Sequence, residues 1–177
     1  ESMLTQESFP AGYELTEISK ENGEPLAHYV NDTMLRLDLS EPLKSGDSVT
    51  FNINWQFNII EAEVLGGRGG YEYFEEDGNY LYEMAQWFPR MAAYYDAEGW
   101  QNKQFVGNGE FALEFGDYRV EITVPADHIV ASTGVLQNPE DVLTSIQRQR
   151  LEAARNADEP IKIVTEEEAL ENQKEGT

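Results

Sequence analysis

An unbroken alternation of apolar and polar residues over positions 49–57 is the feature that most constrains the fold. Its apolar members are Val49, Phe51, Ile53, Trp55 and Phe57, and a polar residue occupies each position between them. Successive side chains of a β-strand point to opposite faces, so period two over this length predicts a strand with one buried face. The pattern is typical of an antiparallel sheet that packs on a core on one side only. By its place in the alternation, Trp55 is expected to pack in that core.

Two more alternating runs, 111–115 and 118–124, stand on either side of Gly116-Asp117. Glycine admits positive φ and Asp favours turns, so the two runs are predicted to be paired or bent strands. Shorter strands are predicted at 13–18, 26–30, 35–39 and 71–74. The Asn22-Gly23 dipeptide predicts a hairpin that pairs 26–30 with the strand before it. Together these signals predict an all-β fold, a saddle-like antiparallel or mixed β-sandwich.

The character of the sequence changes after this β-rich region. Asn138 and Pro139 predict a helix start with a capping side chain, so a helical insertion or appendage is expected over 139–157. A brief strand is predicted at 161–164, followed by a short helix capped at 165–168. We interpret residues 1–177 as one domain with this short helical appendage, because the length fits a single ordinary core.

The charge of the chain excludes several kinds of partner. Its 177 residues include 34 acidic and 12 basic ones, a formal net charge of -22. Such a field repels phosphate backbones and anionic lipid surfaces, so nucleic acid is not an expected partner. The apolar runs are only a few residues long, so no membrane insertion by this segment is expected. The acidic patch at 75–79 lacks the alternating oxygen ligands of a calcium loop and is typical of a hairpin turn around Asp77-Gly78.

Catalytic chemistry is not indicated by the sequence. The absence of Cys excludes disulfides, thiolate metal sites and thiol nucleophiles. The two histidines of the chain, His28 and His128, form no His-x-x-x-His pair of the kind that binds catalytic zinc. The sequence also has no Gly-x-Ser-x-Gly elbow that would support a serine nucleophile. The glycine-rich stretch 66–70 precedes a predicted strand, whereas a phosphate loop precedes a helix. We therefore predict that this chain alone is not an enzyme and contains no catalytic residue, metal site or cofactor.

An ordered set of short motifs resembles a known family over approximately residues 25–145. In chain order they are Arg68-Gly69-Gly70-Tyr71, Gln86-Trp87-Phe88-Pro89-Arg90, Tyr95-Asp96, Gly99-Trp100, Gly109-Glu110-Phe111, Glu114-Phe115-Gly116-Asp117-Tyr118, Ile122-Thr123-Val124-Pro125-Ala126-Asp127 and Ala131-Ser132-Thr133-Gly134. The set resembles the N-terminal domain of bacterial M1-family (gluzincin) zinc metallopeptidases of the aminopeptidase N type. The order of the motifs, rather than any one of them, makes the resemblance specific.

The resemblance implies a saddle-like β-sandwich that precedes a thermolysin-like catalytic domain. That family's zinc motif, His-Glu-x-x-His, and its Gly-x-Met-Glu-Asn substrate motif do not occur in this sequence. The chain is therefore expected to be an excised N-terminal domain that lacks its first strands. Its expected partners are the missing C-terminal catalytic domain, which would hold the zinc, and a peptide substrate.

In such peptidases a loop of the N-terminal sheet offers a Gln or Glu to the free α-amino group of the substrate. The resemblance implies that Gln86 has this role here, with Glu83 as the second candidate. An ammonium group needs a nearby acceptor, and fixing that end of the peptide decides which bond is cleaved. The alternative interpretation is that Gln86 caps a bend while Trp87 and Phe88 fill the core.

The competing hypothesis is a stand-alone β-sandwich module that binds carbohydrate or protein. Trp87, Trp100, Tyr94 and Tyr95 lie near predicted loops, and aromatic faces suit sugar rings. Three coplanar exposed aromatic rings would favour sugar binding. An exposed apolar patch at 82–100 would instead favour docking to a second domain. A purely structural interaction domain would have this patch without a polar residue aimed into a cleft.

Overall fold

The chain forms a sheet-rich fold of small antiparallel strands with few helices. The computed structural model describes residues 12–65, 69–76, 78–105 and 111–174. The strands described are β1 (Glu14–Lys20), β2 (His28–Asn31), β3 (Met34–Leu37), β4 (Phe51–Gln56), β5 (Gly70–Phe74), β6 (Asn79–Glu83), β7 (Tyr94–Tyr95) and β8 (Gly99–Trp100). They form the two-stranded pairs β1–β4, β2–β3, β5–β6 and β7–β8, all antiparallel. The helices described are α1 (Ala62–Leu65), α2 (Pro139–Val142), α3 (Ser145–Ala154) and α4 (Glu166–Lys174).

The pair β1–β4 contains the strand that the sequence predicts best. Residues of β4 alternate between half-buried and exposed, as the period-two pattern predicts. In the register, Ile18 lies opposite Ile53 and Leu15 opposite Trp55, with an irregularity between Leu15 and Glu17. Ile18 and Leu26 are the buried hydrophobic residues of the described chain. The core of this part of the molecule is therefore small and lies beside β1.

The Asn22-Gly23 hairpin is confirmed only in part. Gly23 N–H donates to the carbonyl of Lys20 (2.9 Å), and Leu26 N–H donates to the carbonyl of Ile18 (3.0 Å). From His28 onward, however, the chain pairs with β3, not with β1. Asp32, in the turn between β2 and β3, has φ +49°, the positive φ that a two-residue hairpin turn requires. This turn therefore pairs β2 with β3, the strand nearer to it in the chain.

The strand predictions for 111–115 and 118–124 are wrong. The first run makes a single bridge, between Leu113 and Ala92, and the second belongs to no strand. The predicted strand at 161–164 is likewise absent from the described structure. Alternation specifies which side chains share a face, but a strand also needs a neighbour to accept and donate its backbone hydrogen bonds. Among the described residues, no strand pairs with 118–124.

The helical region predicted at 139–157 is divided into α2 and α3. Asn138 is the N-terminal flanking residue of α2, but its side chain makes no capping hydrogen bond, so that detail of the prediction is wrong. Helix α2 ends before Leu143, where the backbone is extended. Helix α3 then begins after Thr144, which forms a reciprocal capping box with Gln147. Two compact units are distinguished, divided between Asp117 and Tyr118, and both helices lie in the second.

Helix α4 begins as predicted at a second capping box. Thr165 N–H donates to the carboxylate of Glu168 (2.9 Å), and Glu168 N–H donates to the Thr165 hydroxyl (3.3 Å). The same carboxylate accepts from the Arg150 guanidinium of α3 (2.6 Å), which also donates to the Ile163 carbonyl (3.0 Å). Arg150 and Thr165 together lower the pKa of Glu168. The carboxylate thus joins α3, the segment before α4, and α4 itself.

Glu168→Gln should destabilise the second unit at neutral pH, because the amide keeps the shape but loses the charge. Since the pKa of the folded Glu168 lies below its ordinary value of 4.5, the stabilisation is complete above that value and lost as the pH falls through the lowered pKa. Thermal unfolding followed by helical circular dichroism at pH 7 and pH 3 measures this. Glu171→Gln, in the same helix, is the matched control; an equal loss of stability in both variants at pH 7 contradicts the ion-pair assignment.

Gly70 anchors the β5–β6 hairpin against the chain before it. Its φ is +135°, and a Cβ there would lie 2.4 Å from the carbonyl oxygen of Ile60. The next residue, Tyr71, donates its N–H to that same carbonyl (3.0 Å). Only glycine allows this close backbone approach, so it fixes where the hairpin starts.

Gly70→Ala should lower the free energy of unfolding by more than the about 1–3 kcal/mol of a strained φ alone, since the methyl group also clashes with backbone. Gly78→Ala is the control, because Gly78 also has positive φ (+71°) but nothing lies within 4 Å of its added Cβ. Urea unfolding of both variants measures the difference. Equal destabilisation of the two would contradict the close approach at Gly70.

Candidate functional site

The segment 84–88, which we name the Gln86 bend, follows directly after β6. Gln86 has φ +52°, a left-handed conformation that it shares, among the described non-glycine residues, only with Asp32. Such a conformation is uncommon for glutamine and persists only where surrounding contacts impose it. The Gln86 side chain is exposed, so the backbone is constrained while the amide remains available to a ligand.

Two hydrogen bonds from the β1–β4 pair hold the backbone of the bend. The Tyr13 hydroxyl donates to the Gln86 carbonyl, and the Trp55 indole Nε1–H donates to the Trp87 carbonyl (3.1 Å). Tyr13 directly precedes β1 and Trp55 lies in β4, where it is opposite Leu15. Because β1 and β4 are paired, the two donors are held by one piece of sheet and fix two successive peptide groups.

Aromatic contacts surround these two hydrogen bonds. Trp55 and Trp87 have ring centroids 6.4 Å apart, and Trp87 meets Phe88 edge to face at 4.8 Å. Tyr13 meets Phe57 in the same manner at 5.5 Å. Partial burial raises the pKa of the Tyr13 hydroxyl, which stays a donor through the neutral range. Trp87 and Phe88 are half-buried, so the bend directs these two rings inward and leaves Gln86 exposed.

Glu83 is the last residue of β6, opposite Gly70, and its side chain is exposed. It lies three residues before Gln86 in the chain. An amide oxygen and a carboxylate are both acceptors, so each of these residues can receive hydrogen bonds from an ammonium group. The two predicted site residues therefore lie close in the chain, one at the end of the strand and one in the bend that follows it.

The chain after the bend is connected to the stretch around Glu114. The Arg90 guanidinium lies 5.8 Å from the Phe88 ring centroid and donates to the Glu114 carbonyl (3.3 Å). The Glu114 carboxylate accepts from Tyr94 N–H (3.1 Å). These contacts bring Phe88, Arg90 and Glu114 together. Tyr13 has no comparable signal, since nothing in its local sequence marks it as an anchor for a residue far along the chain.

The aromatic residues considered for sugar binding do not form a flat platform. Tyr94 and Trp100 meet edge to face, with an angle of 70° between their planes, and Trp87 is half-buried beside Trp55. A sugar ring stacks on a flat exposed face, so this geometry does not favour the carbohydrate hypothesis at these residues.

Potential metal ligands are dispersed in the described part of the chain. His28 Nδ1 lies 3.0 Å from the Leu26 carbonyl, and His128 Nδ1 lies 2.7 Å from the Asp127 carboxylate. No group of three His, Asp or Glu side chains suited to a metal occurs among the described residues. A shallow hollow of about 600 Å³ between Leu39 and Thr50 is lined by neither Gln86 nor Glu83. The Gln86 bend remains the candidate site.

The chain matches no protein-family model, no curated protein and no solved structure. None of the described helices has the length and apolar character needed to cross a membrane.

Trp55→Phe should loosen the Gln86 bend, because it keeps an aromatic ring in the strand but removes the donor to the Trp87 carbonyl. The expected loss is about 0.5–1.5 kcal/mol in the free energy of unfolding, the usual value of one intramolecular hydrogen bond. Urea unfolding followed by far-ultraviolet circular dichroism measures it. Trp100→Phe is the control at an exposed tryptophan. If Trp100→Phe costs as much as Trp55→Phe, the indole hydrogen bond is not what holds the bend.

Proposed function

We propose that this chain is the non-catalytic N-terminal domain of an M1-like zinc aminopeptidase. In this proposal it packs as a saddle-like β-sandwich on a catalytic domain of the same polypeptide and helps to bind the N-terminus of a peptide substrate. The observation that carries the proposal is the Gln86 bend, where a recognised motif coincides with a constrained backbone and an exposed amide. Observed departures from ordinary backbone geometry are more frequent at functional sites than elsewhere.

Exposed apolar residues around the bend support docking to a second domain. Met91, Tyr94 and Trp100 are each 54% exposed, and all lie between the bend and the end of β8. Separately, the second unit also exposes the apolar members of its run 118–124, with Val120 at 47% and Ile122 at 50%. Exposed apolar surface of this kind is typical of regions covered by a partner.

Gln86 would act by binding rather than by chemistry. Its amide oxygen would accept a hydrogen bond from the substrate ammonium, and the fixed backbone would keep that acceptor in one place. Glu83 would add a negative charge near the same group. The zinc of such an enzyme would be held by the catalytic domain, as the resemblance to the family implies. The contribution of this chain is therefore the position of the peptide's amino end.

In the intact peptidase, Gln86→Ala should raise KM for substrates with a free α-amino group about ten-fold or more, because a hydrogen bond to a charged group contributes about 1.5–3 kcal/mol. Substrates with a blocked amino group should be affected little. Steady-state kinetics on matched free and N-acetylated peptides measures the ratio. Gln137→Ala, at an exposed glutamine of the second unit, is the control.

Two results would contradict the proposal. Equal effects of Gln86→Ala on free and blocked substrates would remove Gln86 from substrate recognition, and the same comparison with Glu83→Ala would then test the second candidate. A coding sequence that continues beyond Thr177 without a His-Glu-x-x-His motif would remove the catalytic domain itself from the proposal.

A further inference from the structure

Four tyrosines form one face of the β5–β6 hairpin. Tyr71 lies opposite Tyr82, and Tyr73 lies opposite Tyr80. Because alternate residues of a strand share a face, all four rings are on the same side of the hairpin. Tyr71 N–H donates away from β6, to the Ile60 carbonyl, so both tyrosine pairs occupy the closely spaced, non-hydrogen-bonded positions of the antiparallel ladder. We call this surface the tyrosine face.

The rings of the tyrosine face contact one another; Tyr73, Tyr80 and Tyr82 are exposed, and Tyr71 is half-buried. Ring centroids are 4.7 Å apart for Tyr73 and Tyr80, 5.9 Å for Tyr71 and Tyr80, and 6.0 Å for Tyr80 and Tyr82, whose planes differ by only 17°. Tyr73 is 49% exposed and Tyr80 52% exposed. Cross-strand ring pairs stabilise a hairpin, but that role alone does not require about half of the surface of Tyr73 and Tyr80 to stay exposed.

The hairpin that carries this face has charge of one sign. Residues 70–83 include five acidic residues (Glu72, Glu75, Glu76, Asp77 and Glu83) and no Lys or Arg. Glu72 and Glu83 alternate with the tyrosines and so lie on the opposite face of the hairpin, from which they contribute to the local negative field. The whole chain has a net charge of -22, which attracts cations and repels a second copy of itself. The face of a tyrosine ring also carries negative partial charge and binds guanidinium and ammonium groups. Ring faces and carboxylates therefore favour the same kind of ligand.

The spacing of the rings indicates an extended ligand. Tyr80 and Tyr82, two residues apart along β6, have centroids 6.0 Å apart. Alternate side chains of an extended peptide are about 6.8 Å apart and lie on one face. A strand-like segment with a cation at every second residue can thus place successive cations over successive rings.

We propose that the tyrosine face binds an extended segment of a partner protein that carries Arg or Lys at alternate positions. This inference does not depend on the peptidase proposal, because β6 presents Tyr80 and Tyr82 on the face opposite to Glu83. Each cation bound over a ring contributes modestly at an exposed site, so affinity comes from several rings together with the acidic field.

The test measures binding of a fluorescent, end-blocked Ser-Arg repeat peptide with three alternate arginines to the 177-residue chain. Tyr80→Leu should weaken this binding about two- to five-fold, the effect of one cation–π contact, while Tyr80→Phe should retain it because the ring remains. Tyr94→Leu, at another exposed tyrosine, should leave the affinity unchanged. Circular dichroism confirms that each variant is folded.

Two further peptides test the same proposal on the unsubstituted chain. This comparison still tests the proposal if Tyr80→Leu does not fold. A peptide with the three arginines adjacent should bind more weakly than the alternate one, and a citrulline peptide should not bind. Equal affinity for alternate and adjacent arginines, or for citrulline, would overturn the proposal. So would unchanged binding by folded Tyr80→Leu, which would leave only non-specific charge attraction.

Two other occupants of the face would be revealed by the same variants. If Tyr80→Leu abolishes binding of a neutral oligosaccharide such as cellohexaose but not of the arginine peptide, the face is a sugar site and the proposal is wrong. If it abolishes concentration-dependent self-association in sedimentation while the peptide does not bind, the face is an interface between copies, and the proposal is equally wrong.

Discussion

The antiparallel pairing of β1 with β4 is the contact on which the candidate site depends. It places Tyr13 and Trp55 on one sheet, and their side chains donate to the successive carbonyls of Gln86 and Trp87. A shift of one residue in that register would turn Trp55 to the opposite face and remove its hydrogen bond. The left-handed conformation of Gln86 is therefore maintained from outside the bend, by a strand pair far away in sequence.

The β6 strand contributes to both the Gln86 bend and the tyrosine face, and it keeps them on different sides. Tyr80 and Tyr82 lie on the face that pairs with Tyr73 and Tyr71, whereas Glu83 points to the other face and leads into the bend. Gly70 fixes the start of the hairpin against Ile60, so both surfaces are positioned by the same close backbone approach. A two-stranded hairpin can in this way present an acceptor group on one side and an aromatic surface on the other.

The exposed apolar residues and the strong negative charge act in opposite directions. Val120, Ile122 and other exposed apolar residues favour burial against a partner, whereas a net charge of -22 opposes association with another copy of the same chain. A partner of different sequence satisfies both conditions, because it can cover apolar surface without adding to the repulsion. This reasoning is common to the proposed catalytic domain and to the proposed basic segment.

Local pattern was sufficient for much of the sheet-rich fold. The alternation at 49–57 specified β4 and its inward Trp55, and the capping residues Thr165 and Glu168 specified the start of α4, because these features are properties of neighbouring residues. The motif at 86–90 singled out Gln86, and the role of Gln86 in binding a substrate amine stays a prediction.

Tertiary structure alone decided which alternating runs became strands and what holds the bend. The run 118–124 has a strand's pattern but no strand partner among the described residues, and sequence periodicity carries no information about partners. The hydrogen bond from Tyr13 to Gln86 joins residues 73 positions apart, and only the folded chain brings them together. Side-chain alternation is a local property, whereas hydrogen bonding between distant segments depends on the whole fold.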